Sequence, residues 1–499
     1  MAVDGEGSAF IAGYIGFNGT VDFDPAGTAE FPATQSSQAF LAKYDASGAY
    51  QWAWVGGGAA QNADRAYDVA VAPDGDAVVV GMFNGTADFD PTGGVTNLEA
   101  TGAVGANFNH FVARYDSDGN LIWARTSGGS TNTEVAHGVD VGPDGHAYVV
   151  GTFLGTVDFD HTAATTELVS SGSPSNENDN YFVARYDADG TLVWAHTTGP
   201  SEAKENAYAV ALDGKGNLFV AGDFGGTVDF DDDPAGTVEL VAEPANYTTN
   251  MFVAKYSTAG DLLWARTAAG PDDGIETAAA VTVDNDGNVI VVGSFDGTMQ
   301  FGDTTLTATG AQYSFNYFVA KYDTNGNLLW ATTTGPTDND NGESAFAVST
   351  DDKDNVYVSG TFSGTVDFDP GAGELVASTE SYLNRYFIAR YSAAGVIQSV
   401  TTTGSPGDSE AINATAIEDD RFYATGLFVG TVDFDPGPDP VIRDSDVSQQ
   451  KHFLVEFDLP VSAGSGNDGG GSTPPDRVPP PAPRIAAFDT DTGNPNDHF

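Results

Sequence analysis

Residues Gly155–Asp160 have the sequence GTVDFD, and this hexapeptide recurs along the chain. Identical copies begin at Gly19, Gly155, Gly226, Gly364 and Gly430, a near copy (GTADFD) begins at Gly85, and a decayed copy (GTMQFG) begins at Gly297. Successive copies start 66 to 71 residues apart. A nearly constant period of this size indicates one supersecondary unit repeated seven times, so the repeat predicts the architecture before any single residue is considered.

Each unit has the pattern of four antiparallel strands. In residues 207–266, alternating or apolar runs at 207–213, 218–222, 251–256 and 261–266 predict the strands. Short clusters of Gly, Asp and Asn separate strand one from strand two and strand three from strand four, as in tight hairpins. The hexapeptide and a variable stretch form one long excursion between strands two and three. No window of comparable length has helical periodicity.

Seven such units predict an all-β fold, a seven-bladed β-propeller, because radial closure protects the sheet edges. The Ala-rich first strand fits the inner position, and the fourth strand, with Trp52, Trp123, Trp194, Trp264 or Trp330, fits the outer one. The sixth unit has Gln398 at the Trp position, and no fourth strand is recognisable in the seventh. The predicted blades span about residues 2–55, 66–126, 136–197, 207–267, 278–332, 345–401 and 411–458 of a propeller domain at 1–460.

The unit pattern, for example Phe-Val-Ala-Lys-Tyr at 252–256 followed by Leu-Leu-Trp-Ala at 262–265, resembles the SBBP-type β-propeller repeat of bacterial extracellular proteins. The resemblance covers about residues 2–458. It implies the propeller fold and a secreted or cell-surface location. It implies little about activity, because propellers serve many unrelated functions.

Both ends of the propeller segment carry further predictions. The first unit is trimmed upstream and shows no signal peptide, so we expect missing upstream residues to complete the seventh blade. Residues 461–483 are rich in Gly, Ser and Pro and predict a flexible linker. Residues 484–499 resemble the start of a bacterial Ig-like domain, which implies one module within a longer adhesin or matrix protein.

The composition restricts the partners. The chain has 71 acidic and 18 basic residues, a net charge of −53, and no Cys. Nucleic acid and anionic surfaces are repelled at low salt, and no apolar run approaches the roughly 20 residues that span a bilayer. Three explanations of the charge remain open: a solvated surface suited to saline water, divalent-cation binding, and an acidic face for a cationic partner.

The Asp-Phe-Asp part of the hexapeptide is the candidate metal site. In a strand, its two carboxylates lie on one face and the Phe on the other, and carboxylate oxygens are ligands for Ca²⁺. The candidate ligands are Asp22, Asp24, Asp88, Asp90, Asp158, Asp160, Asp229, Asp231, Asp367, Asp369, Asp433 and Asp435. The alternative is structural, with Phe as a buried anchor and Asp capping the turn that follows. The fifth unit keeps Phe301 and has lost both acids, which favours this alternative.

No catalytic motif is present, and the seven His residues have no repeated ligand spacing, so we predict neither an enzyme nor a zinc site. The basic residues of the third strands (Lys43, Arg114, Arg185, Lys255, Lys321 and Arg390) are expected to pair with blade carboxylates as exposed ion pairs.

The sequence thus predicts a non-catalytic binding or spacer module, with Ca²⁺-supported recognition of an extracellular glycan or protein. A purely structural acidic spacer is the first alternative and a glycan-active enzyme the second. A cluster of Tyr247, Tyr313 and Tyr382 would favour a glycan surface.

Overall fold

The structure, a computed structural model, describes residues 1–16, 19–24, 26–33, 37–56, 63–101, 107–128, 132–160, 162, 164–170, 179–199, 204–231, 238–242, 249–270, 274–309, 314–335, 342–371, 373–379, 384–402, 409–418, 421–434, 442–445, 451–458 and 484–490. All structural statements below refer to these residues. They form strands and turns and contain no helix, and therefore none that could cross a bilayer.

The strands fall into seven groups of six. Blade one contains β1 (Ala2–Val3), β2 (Ala9–Ile15), β3 (Gly19–Asp22), β4 (Glu30–Ala33), β5 (Gln38–Tyr44) and β6 (Tyr50–Gly56). Blade two contains β7 (Arg65–Val71), β8 (Ala77–Phe83), β9 (Thr86–Asp88), β10 (Asn97–Glu99), β11 (Asn109–Tyr115) and β12 (Leu121–Thr126). Blade three contains β13 (Glu134–Val141), β14 (Ala147–Phe153), β15 (Thr156–Asp158), β16 (Glu167–Val169), β17 (Asn180–Tyr186) and β18 (Leu192–Thr197). Blade four contains β19 (Glu205–Leu212), β20 (Leu218–Phe224), β21 (Thr227–Asp229), β22 (Glu239–Val241), β23 (Asn250–Tyr256) and β24 (Leu262–Ala268).

The remaining three blades repeat this order. Blade five contains β25 (Glu276–Val283), β26 (Val289–Phe295), β27 (Thr298–Phe301), β28 (Thr304–Thr307), β29 (Asn316–Tyr322) and β30 (Leu328–Thr333). Blade six contains β31 (Glu343–Thr350), β32 (Val356–Phe362), β33 (Thr365–Asp367), β34 (Val376–Ser378), β35 (Arg385–Tyr391) and β36 (Ile397–Thr402). Blade seven contains β37 (Ser409–Glu418), β38 (Arg421–Val429), β39 (Thr431–Asp433), β40 (Ile442–Asp444), β41 (Lys451–Asp458) and β42 (Arg484–Thr490).

Four strands of each group form an antiparallel sheet, in the order β13-β14-β17-β18 in blade three. First strands of successive blades contact one another, and β1 contacts both β37 and β7, so the blades close into a ring with first strands innermost. The predicted seven-bladed propeller is therefore confirmed. Because the strands alternate in direction, the tight turns lie on one face (the turn face). The blade-to-blade connections and the excursions lie on the other, which we call the hairpin face.

The core lies between the blades, because alternate side chains of each central strand face opposite neighbours. In β14, Val149 packs into a cluster that contains Val78 of blade two. The next residue, Val150, packs into a cluster with Val220 of blade four. All residues of β14 are buried, so each blade is covered on both sides by its neighbours.

The excursion between strands two and three contains a hairpin that the sequence analysis did not predict. In blade three, β15 and β16 pair antiparallel, with Asp158 opposite Glu167. Equivalent two-strand pairs occur in all seven blades. The GTVDFD repeat therefore encodes the first half of a small accessory hairpin on the hairpin face.

The prediction that the seventh blade lacks its fourth strand is wrong. Strand β42 pairs antiparallel with β41, with Ala487 opposite Phe453, and occupies the outer position. The strand was missed because it follows β41 only after 25 intervening residues and lacks the Trp of the other units. Upstream residues are thus not needed to complete this blade, and residues 484–490 are part of the propeller sheet. The predicted linker at 461–483 and residues 491–499 lie outside the described residues.

Candidate functional site

The first carboxylate of the Asp-Phe-Asp element caps the hairpin loop in blades one to four and in blade six. In blade six, Oδ1 of Asp367 accepts the backbone N–H groups of Asp369 (3.1 Å) and Leu375 (2.9 Å). The same pair of hydrogen bonds is made by Asp22, Asp88, Asp158 and Asp229 in their own loops. Side-chain oxygens of Asp commonly satisfy the backbone of a turn in this way.

The second carboxylate makes the next turn. Oδ1 of Asp369 accepts the N–H of Gly371 (2.8 Å), and the equivalent bond is made by Asp24, Asp90 and Asp160. Asp231 and Asp433 occupy the same element in blades four and seven. Asp435, as well as Asp232 and Asp233 of the densest acidic run, lies outside the described residues. These contacts show the capping role that the sequence analysis held as the alternative.

Metal binding by these acids stays a prediction. Among the residues that the structure describes, no group of three or more His, Asp or Glu side chains converges to hold a metal ion. One oxygen of each first Asp is already used by two backbone donors, so a bound Ca²⁺ would have to draw on the second oxygen and on loop carbonyls.

The Phe of the element is a buried anchor, as predicted. Phe159 is 1% exposed and packs against Phe182 of the third strand, with ring centroids 4.8 Å apart. The same contact joins Phe368 to Phe387 at 5.1 Å. The decayed fifth element keeps it too, because Phe301 remains 5% exposed and lies 6.0 Å from Phe318.

The accessory hairpins also join neighbouring blades. Gly128, at the end of blade two, forms an antiparallel bridge with Asp158 of blade three. Gly199 and Gly335 donate to the carbonyls of Asp229 and Asp367 in the same way. In blade one, β42 of blade seven pairs with β3 at Asp22. The seventh blade therefore contacts the next hairpin by the same rule as the others, which supports β42 as its outer strand.

The third-strand bases pair with carboxylates, as predicted, but they are not exposed. Nζ of Lys321 lies 2.6 Å from Asp284, and the two side chains are 4% and 0% exposed. Arg114 pairs with Asp74 and Asp76, and Lys43, Arg185 and Lys255 each pair with one Asp of the same blade. Since a buried ion pair is costly to break, these pairs are expected to matter more than surface pairs. Arg390 instead lies over the ring of Tyr357.

Each fourth-strand Trp connects its blade to the next one. Nε1 of Trp123 donates to the carbonyl of Ala188 (2.9 Å), in the turn between strands three and four of blade three. The equivalent bond is made by Trp52, Trp194, Trp264 and Trp330. In blade six the register places Ser399 at the Trp position, opposite Arg390, so the assignment of Gln398 to it was wrong. Gly190 of that turn has φ of +76°, and a Cβ there would lie 2.5 Å from the indole, so Gly is required.

A buried Glu at the start of the first strand in blades three to seven was not predicted from the sequence. Glu343 is 1% exposed, and its Oε2 accepts a hydrogen bond from Thr334 (2.7 Å), which in turn accepts one from Asn316 (2.6 Å). Burial raises the pKa of Glu343 to about 8. Glu134, Glu205, Glu276 and Glu410 occupy the same position, so the repeat spacing of these acids was the available signal.

The centre of the hairpin face holds a position at which the first strands of the units differ. Each first strand from blade two to blade seven carries a β-bulge opposite the Gly of its second strand. The six bulged residues are Tyr67, His137, Tyr208, Ala279, Phe346 and Asn413. First strands line the axis, so these six side chains surround one end of the central channel. Bulges occur preferentially near functional sites because they redirect a side chain.

Aromatic side chains form a continuous arc over blades one to four. The His137 ring lies 5.4 Å from Tyr67 and 5.5 Å from Tyr208. The Arg65 guanidinium lies over the ring of Tyr14, with Cζ 4.7 Å from its centroid. Tyr67 and, on blade six, Phe346 are 38% and 39% exposed. We call Tyr14, Arg65, Tyr67, His137, Tyr208, Asp223 and Phe346 the channel end.

The one carboxylate of the channel end is held by its neighbours. Asp223 is 5% exposed and accepts hydrogen bonds from Asn206 (2.7 Å), Thr277 (3.2 Å) and Tyr208 (3.4 Å). Burial raises the pKa of Asp223, although these hydrogen bonds oppose the shift. Burial also lowers the pKa of His137 to about 4, so the imidazole is neutral near pH 7. The channel end therefore combines aromatic rings with the Arg65 guanidinium, and Lys204 lies close enough to Asp223 to act on the pKa of that carboxyl.

The other His residues do not form a metal site with His137 among the described residues. His110 and His452 occupy the same third-strand position and pack against aromatic rings, and burial lowers their pKa values to about 3 and about 4. His161, His498 and the three excursion tyrosines Tyr247, Tyr313 and Tyr382 lie outside the described residues.

Comparison with known proteins gives limited information beyond the fold. No family model matches, so the SBBP-type and Ig-like resemblances stay predictions. An uncharacterised WD repeat-containing protein of Acanthamoeba polyphaga mimivirus is 24% identical over 376 residues, which cover 66% of this chain and 26% of that protein. The chain thus spans about a quarter of that relative.

Two solved structures are similar at low identity. A polysaccharide lyase described as an ulvan lyase has 11% identity and a TM-score of 0.40, with 84% of this chain and 93% of that chain covered. A protein of unknown function from Bacteroides caccae has 8% identity and a TM-score of 0.31, with 78% and 93% covered. Similarity at this level supports no argument about function, which has to come from the residues of this chain.

Proposed function

We propose that this propeller is a non-catalytic binding module of a secreted or surface-attached protein, and that it binds an extracellular glycan at the channel end. One observation carries the proposal. At the bulge, six aligned positions hold five different residue types, and five of the six side chains are polar or aromatic, whereas the strands around them repeat. Selection for the fold alone would not require different side chains there, and binding of an asymmetric ligand does.

The chemistry of the channel end suits a glycan. Tyr rings offer large apolar faces and a hydroxyl on the same side chain, at a small cost in conformational entropy. A pyranose ring has the same mixture of apolar faces and hydroxyl edges. Tyr67 and Phe346 are exposed enough to contact such a ligand, and Asn413 adds an exposed amide on blade seven.

The non-catalytic part of the proposal rests on the state of the titratable groups. Asp223 is engaged by three hydrogen bonds, which leaves it poorly placed to act as one of the two free carboxylates that acid–base hydrolysis requires. His137 has too low a pKa to accept a proton efficiently near pH 7.

The acidic surface has a separate role in the proposal. Most of the acids are exposed or cap loops, and a net charge of −53 keeps the chain soluble and repels other copies of it. An acidic spacer without any ligand is the competing structural proposal, and it predicts no role for the channel-end side chains.

A glycan array with the intact chain tests the proposal. We expect binding that is lost in Tyr67→Ala and kept in Asp367→Asn, a hairpin variant far from the axis. Binding that survives Tyr67→Ala and Phe346→Ala together would refute the channel end as the site. Absence of binding to every extracellular glycan would favour the spacer. Ca²⁺-dependent binding lost only in the hairpin variants would move the site to the Asp-Phe-Asp elements.

A further inference from the structure

Arg65 differs from the five third-strand bases that pair with an Asp of their own blade. Lys43, Arg114 and Lys321 each pair with an Asp of the same blade, at distances between 2.6 and 3.6 Å. Arg65 has no ion pair with any described residue, although acids outnumber bases about four to one in the chain. Its Nε is buried and has no hydrogen-bond acceptor among the described residues.

The surroundings hold the guanidinium at the channel end. The planar group lies over Tyr14 at 4.7 Å and interacts with the hydroxyl of Tyr67. Asp64, the preceding residue, accepts the N–H of Asn84 and is 2% exposed. Stacking on an aromatic ring preorganises the donor fork of Arg without neutralising its charge.

We propose that Arg65 binds the carboxylate of an acidic sugar residue, a uronate, in the glycan that occupies the channel end. This inference deepens the proposed function and rests on it. Arg forms bidentate, charge-assisted hydrogen bonds with a carboxylate, and the two terminal nitrogens of the guanidinium can supply the two donors needed. Tyr14 and Tyr67 on either side offer faces for the pyranose ring.

The net charge of the chain gives this site a recognisable salt dependence. A polyuronate is repelled by the acidic surface at long range, but the Debye length falls to about 8 Å at 0.15 M salt. The contact with Arg65 is short and partly buried, so it is screened much less than the repulsion. We therefore expect the affinity for an acidic glycan to rise when the NaCl concentration is raised about tenfold, from about 0.02 to about 0.2 M. Binding dominated by long-range attraction would instead weaken over this range.

The test uses the intact chain and titration calorimetry with oligogalacturonate, and with the same oligosaccharide after reduction of its carboxyl groups. Arg65→Gln is expected to weaken binding of the uronate at least tenfold and to leave binding of the reduced sugar unchanged. Arg390→Gln is the matched control. Arg390 also lies over a tyrosine, at 5.6 Å from Tyr357, and its Nε also has no acceptor, but it lies near the turn face.

The outcomes separate this inference from the proposed function. Equal affinity of wild type and Arg65→Gln for the uronate, or equal loss in Arg390→Gln, would overturn the role of Arg65. Loss of the reduced sugar in Tyr67→Ala would still support glycan binding at the channel end. Arg65→Lys keeps the charge and loses the fork, so an intermediate affinity is expected, and unfolding curves of all variants should match the wild type.

Discussion

The capping role of the Asp-Phe-Asp carboxylates predicts a sharp difference between two substitutions at Asp367. Oδ1 of Asp367 accepts two backbone N–H groups, those of Asp369 and Leu375. Asp367→Asn keeps a side-chain oxygen that can accept both bonds, whereas Asp367→Ala removes the acceptor. The side chain is half-buried, so water replaces part of the loss, and we estimate about 1–2 kcal/mol for the two bonds.

That free energy should appear locally, because the hairpin makes few contacts beyond its own blade and the preceding one. Hydrogen exchange of a peptide covering residues 365–378 measures local opening, and about 1–2 kcal/mol corresponds to exchange roughly 5 to 30 times faster in Asp367→Ala. Asp367→Asn should exchange within about a factor of two of the wild type. Unchanged exchange in Asp367→Ala would refute the capping argument.

The same experiment with millimolar Ca²⁺ or a chelator, at constant ionic strength, tests the predicted metal site. A ligand that binds only the folded hairpin slows its exchange by mass action. Slower exchange with Ca²⁺ in the wild type and not in Asp367→Asn would establish a carboxylate-dependent site. Equal exchange in both conditions would leave the two acids as loop caps alone.

Three further predictions concern the contacts between strands and blades. Trp123→Phe removes the hydrogen bond to Ala188 and should cost about 1 kcal/mol in urea unfolding, whereas Gly190→Ala, which introduces a clash with the indole at positive φ, should cost more. Lys321→Met leaves Asp284 buried without its cation and should cost about 3–5 kcal/mol. Adding Asp284→Asn should recover most of that loss. If the losses of stability in the two single mutants simply add in the double mutant, Lys321 and Asp284 do not stabilise the fold as a pair. The pKa of Glu343 is raised in the folded state, so its stabilising contribution is complete below about pH 4.5 and is lost as the pH rises towards 8. The wild type should therefore lose stability relative to Glu343→Gln over this pH range. Glu239→Gln, at an exposed position, is the control.

Much of the fold could be predicted from sequence because the repeat shows seven times which positions are apolar. The spacing of GTVDFD, the Gly-rich turns and the third-strand Phe identify the blades. Strand β42 could not be found in this way, since residues 484–490 share neither the Trp nor the spacing of the other fourth strands. Its place follows from the unpaired edge of β41, which is a property of the assembled sheet.

The candidate site was harder to predict, because repetition identifies the residues that the fold requires and not those that bind a ligand. The acids of the Asp-Phe-Asp elements are regular in the sequence, and this regularity reflects a role in the hairpin loops of the blades that carry them. The buried Glu residues were equally regular, but a single Glu before an apolar strand has no distinctive pattern. Tyr67, His137 and Tyr208 align without gaps in the sequence, but the bulge that sets them apart from the strand pairing is not visible there.

The bulge itself explains why variation concentrates at the channel end. A bulged residue has no partner in the ladder, so its side chain is not constrained by a neighbour across the strand. The Gly opposite is constrained, because a Cβ at Gly151 would lie 1.9 Å from the carbonyl oxygen of Val135, and equivalent contacts hold at Gly81, Gly222, Gly293, Gly360 and Gly426. An obligatory Gly and a bulged residue of unrestricted type thus form one local motif, which is repeated from blade two to blade seven. This motif places six side chains around the axis, and these side chains can be substituted without disturbing the sheet. A repetitive scaffold can therefore bind a specific ligand at this position.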